Sequence, residues 1–178
     1  MAEQIGLGVD SNPGCEASIR CLPPVSANSE QSTAPVPDQG PAYVDLADLE
    51  DCDGLILGSP GYFGNMAAPL KYFLDQTSQL WLAGKLIDKP AGVFTSTSSM
   101  HGGQESVLLS MMTPLLHHGM IISGIPYSEA SLNRTKSGAT PYGPSHVAGQ
   151  SGCELSPDEI AACQALGKRI ASLAMKLN

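Results

Sequence analysis

The sequence predicts an α/β domain built on a largely parallel sheet. Three observations lead there. Short apolar runs alternate with stretches of helical spacing. Each apolar run ends in a turn rich in glycine, serine or proline. A long amphipathic helix closes the chain, with one stripe fit to lie against a sheet.

Taken in order, Met1 to Val9 reads as the later part of an amphipathic helix, and Asp10 to Gly14 as a turn. Glu16 to Leu22 alternates Ala17, Ile19 and Cys21 against polar neighbours, the pattern of a strand. Residues 23–42 are rich in Pro, Ser, Gln and Ala without periodicity, and read as a long surface loop within one domain spanning 1–178. Asp45 to Cys52 is a short helix or turn. Leu55-Ile56-Leu57 is a buried strand, stopped by Gly58-Ser59-Pro60-Gly61. Asn65 is placed to cap a helix from Met66, with Pro69 in its first turn and Leu70, Phe73 and Leu74 on one face. Ala91 to Thr95 is a second strand, and Ser96 to Gly103 a polar loop. Gln104 to His117 carries apolar residues at helical spacing, with Pro114 expected to kink it and Gly119 to end it. Met120 to Ile125 is a third strand, and Tyr127 to Gln150 is loop-rich. Ser156-Pro157-Asp158-Glu159 combines an N-cap, a proline at the first helical position and a capping-box Glu. Ile160, Cys163, Leu166, Ile170, Leu173 and Leu177 then form the final stripe.

Composition narrows the function. The chain has 178 residues, 42% apolar and 15% charged, with a net charge of −8. That is enough for one sizeable core. The acidic balance argues against nucleic acid, whose phosphates need a basic face. No apolar run approaches a membrane span, and no signal-peptide pattern opens the chain, so a soluble cytoplasmic protein is expected. The five cysteines are odd in number and irregularly spaced, without a C-x-x-C. They read as reduced structural thiols rather than a disulfide framework or zinc site.

Three loops follow the apolar strands: Gly58–Asn65, Ser96–Gly103, and the stretch from Pro126. In a parallel sheet they share one edge, the usual ligand site of open α/β sheets. Any one of them is an ordinary strand-to-helix turn. Together, with Tyr62, Phe63, Trp81 and Tyr127, they suit a flat aromatic ligand. His117-His118 reads as a helix-capping pair favoured by the dipole. No metal-ligand spacing, G-x-S-x-G elbow, P-loop or G-x-G-x-x-G occurs. Trp81, the only tryptophan, lies beyond its helix and by default packs in the core.

Six segments occur in order: GSPGYFGNM, LKYFLDQTSQLW, VFTSTSSMHGGQE, LLHHGM, IPYSE and GATPYG. Together they closely resemble the WrbA family of flavodoxin-like NAD(P)H:quinone oxidoreductases. The resemblance runs from about Leu46 to Asn178, and more loosely from Met1. It implies a flavodoxin-like open parallel sheet with helices on both faces, in the order 2-1-3-4-5. It also implies FMN as cofactor, NADH or NADPH as donor, a quinone as substrate and a homo-tetramer. In two half-reactions, NAD(P)H gives a hydride to the flavin and a quinone takes two electrons. Carried over by position, Gly61, Tyr62 and Phe63 line the flavin ring through backbone N–H groups, at a place where the family more often has Thr-Arg. Ser96, Thr97, Ser98, Gly102 and Gly103 hold the ring and ribityl side, and His117 sits at the flavin edge. Trp81 walls the quinone and nicotinamide pocket from a neighbouring subunit, joined by Tyr127.

The family opens with an apolar strand and a phosphate-binding loop before its first helix. MAEQIGLGV matches the later half of that helix, so the first strand and loop, about 15–20 residues by typical element lengths, are expected to be missing from this chain. The Glu16–Leu22 strand then lacks its central neighbour and must shift. The FMN phosphate loses charge-assisted hydrogen bonds of roughly 1.5–3 kcal/mol each. Two functions compete on these grounds: an FMN-dependent quinone reductase, and a flavin-free scaffold or inactive fragment retaining only oligomer contacts.

Overall fold

The structure is a computed structural model describing residues 1–26 and 37–177. Helices α1 (Ala2–Asp10) and α2 (Leu46–Asp51) precede strand β1 (Leu55–Tyr62), which turns back through β2 (Asn65–Met66). Helices α3 (Ala68–Asp75) and α4 (Ser78–Leu82) lead to β3 (Pro90–Thr97) and α5 (Gln104–His117). Then come β4 (Ile121–Ile122), α6 (Ala130–Arg134), β5 (Ser145–Val147) and α7 (Pro157–Leu177). β3 pairs in parallel with β1 on one edge and with β4 and β5 in succession on the other. β2 pairs antiparallel with the end of β1.

Side-chain alternation along the strands puts helices on both faces. Ala91 and Val93 of β3 join Leu70 and Leu74 of α3, and Leu108, Met111 and Leu115 of α5, in one core. Ile56 of β1 turns the other way, against a second core holding Leu166 and Ile170 of α7. Gly92 faces Leu166, whose Cδ1 lies 3.0 Å from where a Cβ would stand. Helix α1 covers α7 by backbone approach: a Cβ on Gly8 would run into the Gln164 carbonyl, and one on Gly167 into the Ile5 carbonyl.

Several expected boundaries move. β1 does not stop at Gly58 but continues to Tyr62, because the parallel register with β3 extends to Pro60 opposite Ser96. Asn65 does not cap α3. Asn65 and Met66 pair with β1, and Ser59 Oγ instead accepts from the Ala67 amide at 2.8 Å. Pro69 keeps its expected place in the first turn. The strand expected at Glu16–Leu22 reduces to a single parallel bridge, Cys21 with Tyr43. Ala17 and Ile19 pack on α1 beside Gly6 instead. A strand needs a ladder along its length, and residues 16–20 find none. The strand expected at Met120–Ile125 shortens to β4, because the following segment takes over the edge of β3. Ile125 donates to the Pro141 carbonyl at 2.9 Å, and Thr95 to the Pro144 carbonyl at 3.0 Å. Trp81 lies within α4 and is half exposed, not in the core. α5 continues through Pro114 to His117 as one helix. Of the loop expected at 23–42, residues 27–36 lie outside the described residues. No helix among the described residues is long and apolar enough to cross a membrane.

The start of α7 follows its sequence signature. Ser156 Oγ accepts from the Glu159 amide at 3.2 Å, and Glu159 Oε2 accepts from the Ser156 amide at 2.8 Å. Glu159 is also a buried hub. It accepts from the amides of Gly138 (3.0 Å) and Val147 (3.2 Å) and from His146 Nδ1 (3.0 Å). Burial pushes its carboxyl up, but the bonds from Ser156, His146, Gly138 and Val147 outweigh this and hold it below its ordinary value of 4.5. A carboxyl depressed on folding stabilises fully above its unfolded pKa, and that gain is lost as pH falls through the folded value. Stability is therefore expected to decline below about pH 4.5 in wild type. Glu159→Ala should cost about 3–5 kcal/mol at neutral pH, because four donors lose their shared acceptor. Urea unfolding at pH 7 and pH 4 checks both, and a Glu159→Ala loss under 1 kcal/mol would refute the hub.

Candidate active site

Two loops meet at the carboxyl edge of β1 and β3. The first is a two-residue hairpin turn, Phe63-Gly64, between Tyr62 and its partner Asn65. Both turn residues have positive φ, 50° and 75°, as a primed hairpin turn demands. Glycine meets that demand freely, but for a bulky side chain it costs of order 1–3 kcal/mol. The turn holds the Phe63 ring fully in solvent, with Tyr62 exposed beside it. The second loop runs from Ser98 to Gly103, which has φ 79° at the N-cap of α5. The loops touch: a Cβ on Gly103 would stand 3.2 Å from Gly64 Cα and 2.9 Å from Ser106 Oγ. Gly61 meets Thr97 in the same way, 2.9 Å from its Cγ2. The result is a shallow cradle of close-packed backbone flanked by aromatic rings. Gly61, Tyr62, Phe63, Ser96, Thr97, Ser98, Gly102 and Gly103 all belong to it.

His117 and Trp81 form a separate group. Trp81 Nε1 donates to the His117 carbonyl at 2.8 Å, pinning α4 to the end of α5. Both side chains line a cleft of about 790 Å³ between α3–α4 and α5, which reaches Asn65 and Met66 at its far end. α5 has 14 residues, so at 1.5 Å per residue about 21 Å of helix separates His117 from Gly103. The pair therefore stands far from the Ser98–Gly103 loop, while the cleft it lines ends at Asn65, the partner of Tyr62 in the hairpin. Tyr127 also stands apart from Ser96–Ser98, because the 141–147 segment takes the edge of β3 between them.

Sequence reasoning missed the partner of His118. Thr77 Oγ1 donates to the Leu74 carbonyl at 2.7 Å, so it can only accept from His118 Nε2, 2.8 Å away. That fixes the proton on Nε2 and leaves the buried Nδ1 without a partner among the described residues. Burial, and secondarily His117, lower the His118 pKa from 6.5. Sequence reasoning also missed Gln104, although the signal was present: it falls on the apolar stripe with Val107, Leu108, Met111 and Leu115.

A second cleft, of about 840 Å³, adjoins the cradle at Pro60 and Ser96 and reaches the first residues of α1. FMN fits this pair of surfaces. The close-packed glycines leave the backbone open to a ring system. The amino end of α1 reaches the second cleft, where its N–H groups suit an anionic phosphate, though Glu3 and Glu154 in the lining oppose the charge and no Lys or Arg among the described residues there offsets them. The thiols are free, and burial raises Cys52 and pushes Cys163 up to about 11, so neither suits thiolate chemistry.

Glycine-tight loops gathered at one edge of a parallel, helix-covered sheet define a flavodoxin-like domain. Residues 20–131 match the profile of the NADPH-dependent FMN reductase family. An NAD(P)H dehydrogenase (quinone) of Geobacter sulfurreducens is 41% identical over 186 residues, covering 100% of this chain and 92% of its own. One of Solidesulfovibrio magneticus is 37% identical over 190 residues, covering 99% and 91%. The crystal structure of a flavodoxin, WrbA-like protein from Agrobacterium tumefaciens superposes with a TM-score of 0.57 at 25% identity, over 74% of this chain and 72% of that one. The chain belongs to the WrbA-like branch of the NADPH-dependent FMN reductase family. It is an NAD(P)H-dependent flavin oxidoreductase with FMN as cofactor.

The strained turn predicts an opposition between stability and binding. Phe63→Asn should raise stability by roughly 1 kcal/mol while weakening FMN binding, since Asn-Gly is the preferred pair for this turn. Thermal melts paired with FMN titration test this, and a destabilised variant would show that the turn carries no strain. His118 predicts a pH effect at the other group. Its folded pKa lies below the unfolded one, so its stabilising contribution is full above about pH 6.5 and is lost as pH falls through the folded value. Fluorescence of Trp81 should therefore change below pH 6.5 in wild type and not in Thr77→Val/His118→Phe. The same titration in both proteins would exclude His118 as its source.

Proposed function

We propose that the protein reduces quinones by two electrons at the expense of NAD(P)H, in a ping-pong cycle on FMN. The observation that carries this reading is the cradle of Gly61–Gly64 and Ser98–Gly103, where an exposed aromatic turn meets glycine backbone. Its support in kind is the two relatives named NAD(P)H dehydrogenase (quinone). When bound, FMN supplies the redox chemistry, two-electron exchange with NAD(P)H and with a quinone. The residues supply position. Gly61, Tyr62 and Phe63 present backbone N–H groups and ring faces to the isoalloxazine. Ser96, Thr97 and Ser98, with Gly102 and Gly103, hold its ring and ribityl side, and the amino end of α1 takes the phosphate.

Trp81 and His117 wall the quinone and nicotinamide pocket of a neighbouring copy. Two facts favour this: about 21 Å of α5 lies between His117 and Gly103, and the Trp81 and His117 side chains are exposed. A homo-tetramer seats each pair against another copy's cradle. Tyr127 joins the pocket rim.

The protein purified with excess FMN and desalted should keep a band at about 450 nm, bleach with NAD(P)H and recover with benzoquinone. A colourless product would favour the flavin-free scaffold. Trp81→Ala and Gly103→Val should each lose quinone turnover, and co-refolding them should restore part of it, because some mixed sites are intact. No recovery in mixed oligomers would exclude sites shared between copies.

A further inference from the structure

Gln104 opens α5 on its buried stripe and is only 5% exposed. Its side-chain amide works in both directions. Nε2 donates to Thr97 Oγ1 at 2.9 Å, and Oε1 accepts from Ser145 Oγ at 2.7 Å. The neighbours settle which way each proton points. Thr97 Oγ1 gives its own proton to the Ser99 carbonyl at 2.8 Å, so it accepts from Gln104. Ser145 Oγ accepts from the Ala139 amide at 3.0 Å and gives its proton to Gln104. A one-way chain results: Ala139 N–H to Ser145, to Gln104, to Thr97, to the Ser99 carbonyl. Reversing the amide would set acceptor against acceptor at Thr97, whose proton already goes to the Ser99 carbonyl, so the chain also fixes the Gln104 orientation.

Both ends of this chain lie outside the helices and strands. Ser99 lies in the 98–103 loop of the cradle. Ala139 has φ 75°, a left-handed conformation that alanine adopts only under constraint, and it leads into the segment that pairs with β3. For packing alone, an apolar side chain at 104 would serve α5 at least as well. A neutral amide satisfied on both sides specifies geometry instead, because each partner becomes an unpaired buried group if the other moves.

We infer that Gln104 is a positioning residue for the flavin: buried beneath the cradle, it locks the 98–103 loop to the 138–145 segment and thereby sets FMN affinity. This rests on the assignment of the 98–103 loop to the flavin under Proposed function. Both constraints reach the loop through one side chain, so the loop and the distant segment loosen together when that side chain is cut.

The test joins FMN titration, followed by flavin fluorescence, to amide hydrogen exchange on the flavin-free protein. Gln104→Leu should weaken FMN binding about tenfold. It should speed exchange in both 98–103 and 138–145 and leave α7 unchanged. Gln104→Glu gives a readout that packing alone would not move. Protonated, its carboxyl reproduces the donor to Thr97. Ionised, it cannot, so its FMN affinity should fall as pH rises while wild type stays level. Unchanged affinity in Gln104→Leu, unchanged exchange in either segment, or level pH dependence in Gln104→Glu overturns the inference. Should Gln104→Leu fail to fold, Ser145→Ala cuts only the far end, at a residue outside the cradle. Faster exchange in 138–145 together with weaker FMN binding then supports the inference, and wild-type values overturn it. If wild type itself binds no FMN, the flavin assignment falls and takes the affinity claim with it. Exchange then decides the coupling of the two segments by itself.

Discussion

Six consecutive residue pairs, from Leu55 with Ala91 to Pro60 with Ser96, hold β1 and β3 in parallel register. The remaining architecture follows from that ladder. Parallel pairing puts the carboxyl ends of both strands on one edge, so the turn after Tyr62 and the loop after Thr97 must meet there. A slip of one residue would reverse the faces of β3, turning Ala91 and Val93 toward α7 and Gly92 toward α5. It would also part Gly103 from Gly64. Register fixed by core packing is thus what brings the cradle together, although no cradle residue contributes much to the core.

The polar groups of the interior are arranged around the same ladder. Three networks tie the irregular segments to it: Glu159 gathers 138, 146, 147 and 156, Gln104 links 97 with 145, and Ser59 holds the Ala67 amide before α3. Each uses a side chain with several bonding sites to satisfy backbone or hydroxyl groups that the short strands leave over. The sheet is narrow where these networks lie, with β4 two residues long and β5 three. Hydrogen-bonded side chains therefore do there what a longer ladder does elsewhere.

Local signals were legible wherever the physics is local. The α7 capping box, the helix from Gln104 to His117, and the glycines of the cradle follow from spacing and φ preference, and the structure has them in place. Elements that depend on a distant partner were not legible. Ala17, Ile19 and Cys21 alternate as a strand should, yet alternation describes only a face and says nothing of a neighbour to bond with. Asn65 is a good cap by type, but the β1 register claimed it for a hairpin, and α3 starts after Ala67 without a side-chain cap. The chain-order resemblance set His117 at the flavin edge and Trp81 in the quinone pocket from a neighbouring subunit. It could not show how far α5 carries His117 from Gly103, because a motif list carries no distances.

That separation has a physical logic of its own. A ring held at the cradle has its edge covered by aromatics that must rotate in solvent, and Phe63 is kept there only by a turn that a smaller residue would fill with less strain. Trp81 is different. Its indole nitrogen is fixed to the His117 carbonyl, and His118 and Thr77 brace the same junction, so its exposed face is presented rigidly. Under the proposal that sites are shared between copies, this rigid aromatic face meets the cradle of another copy. Association would then close the open side of the flavin site and bury the surface around Trp81 in a single step, and so exclude water from the place where charge moves.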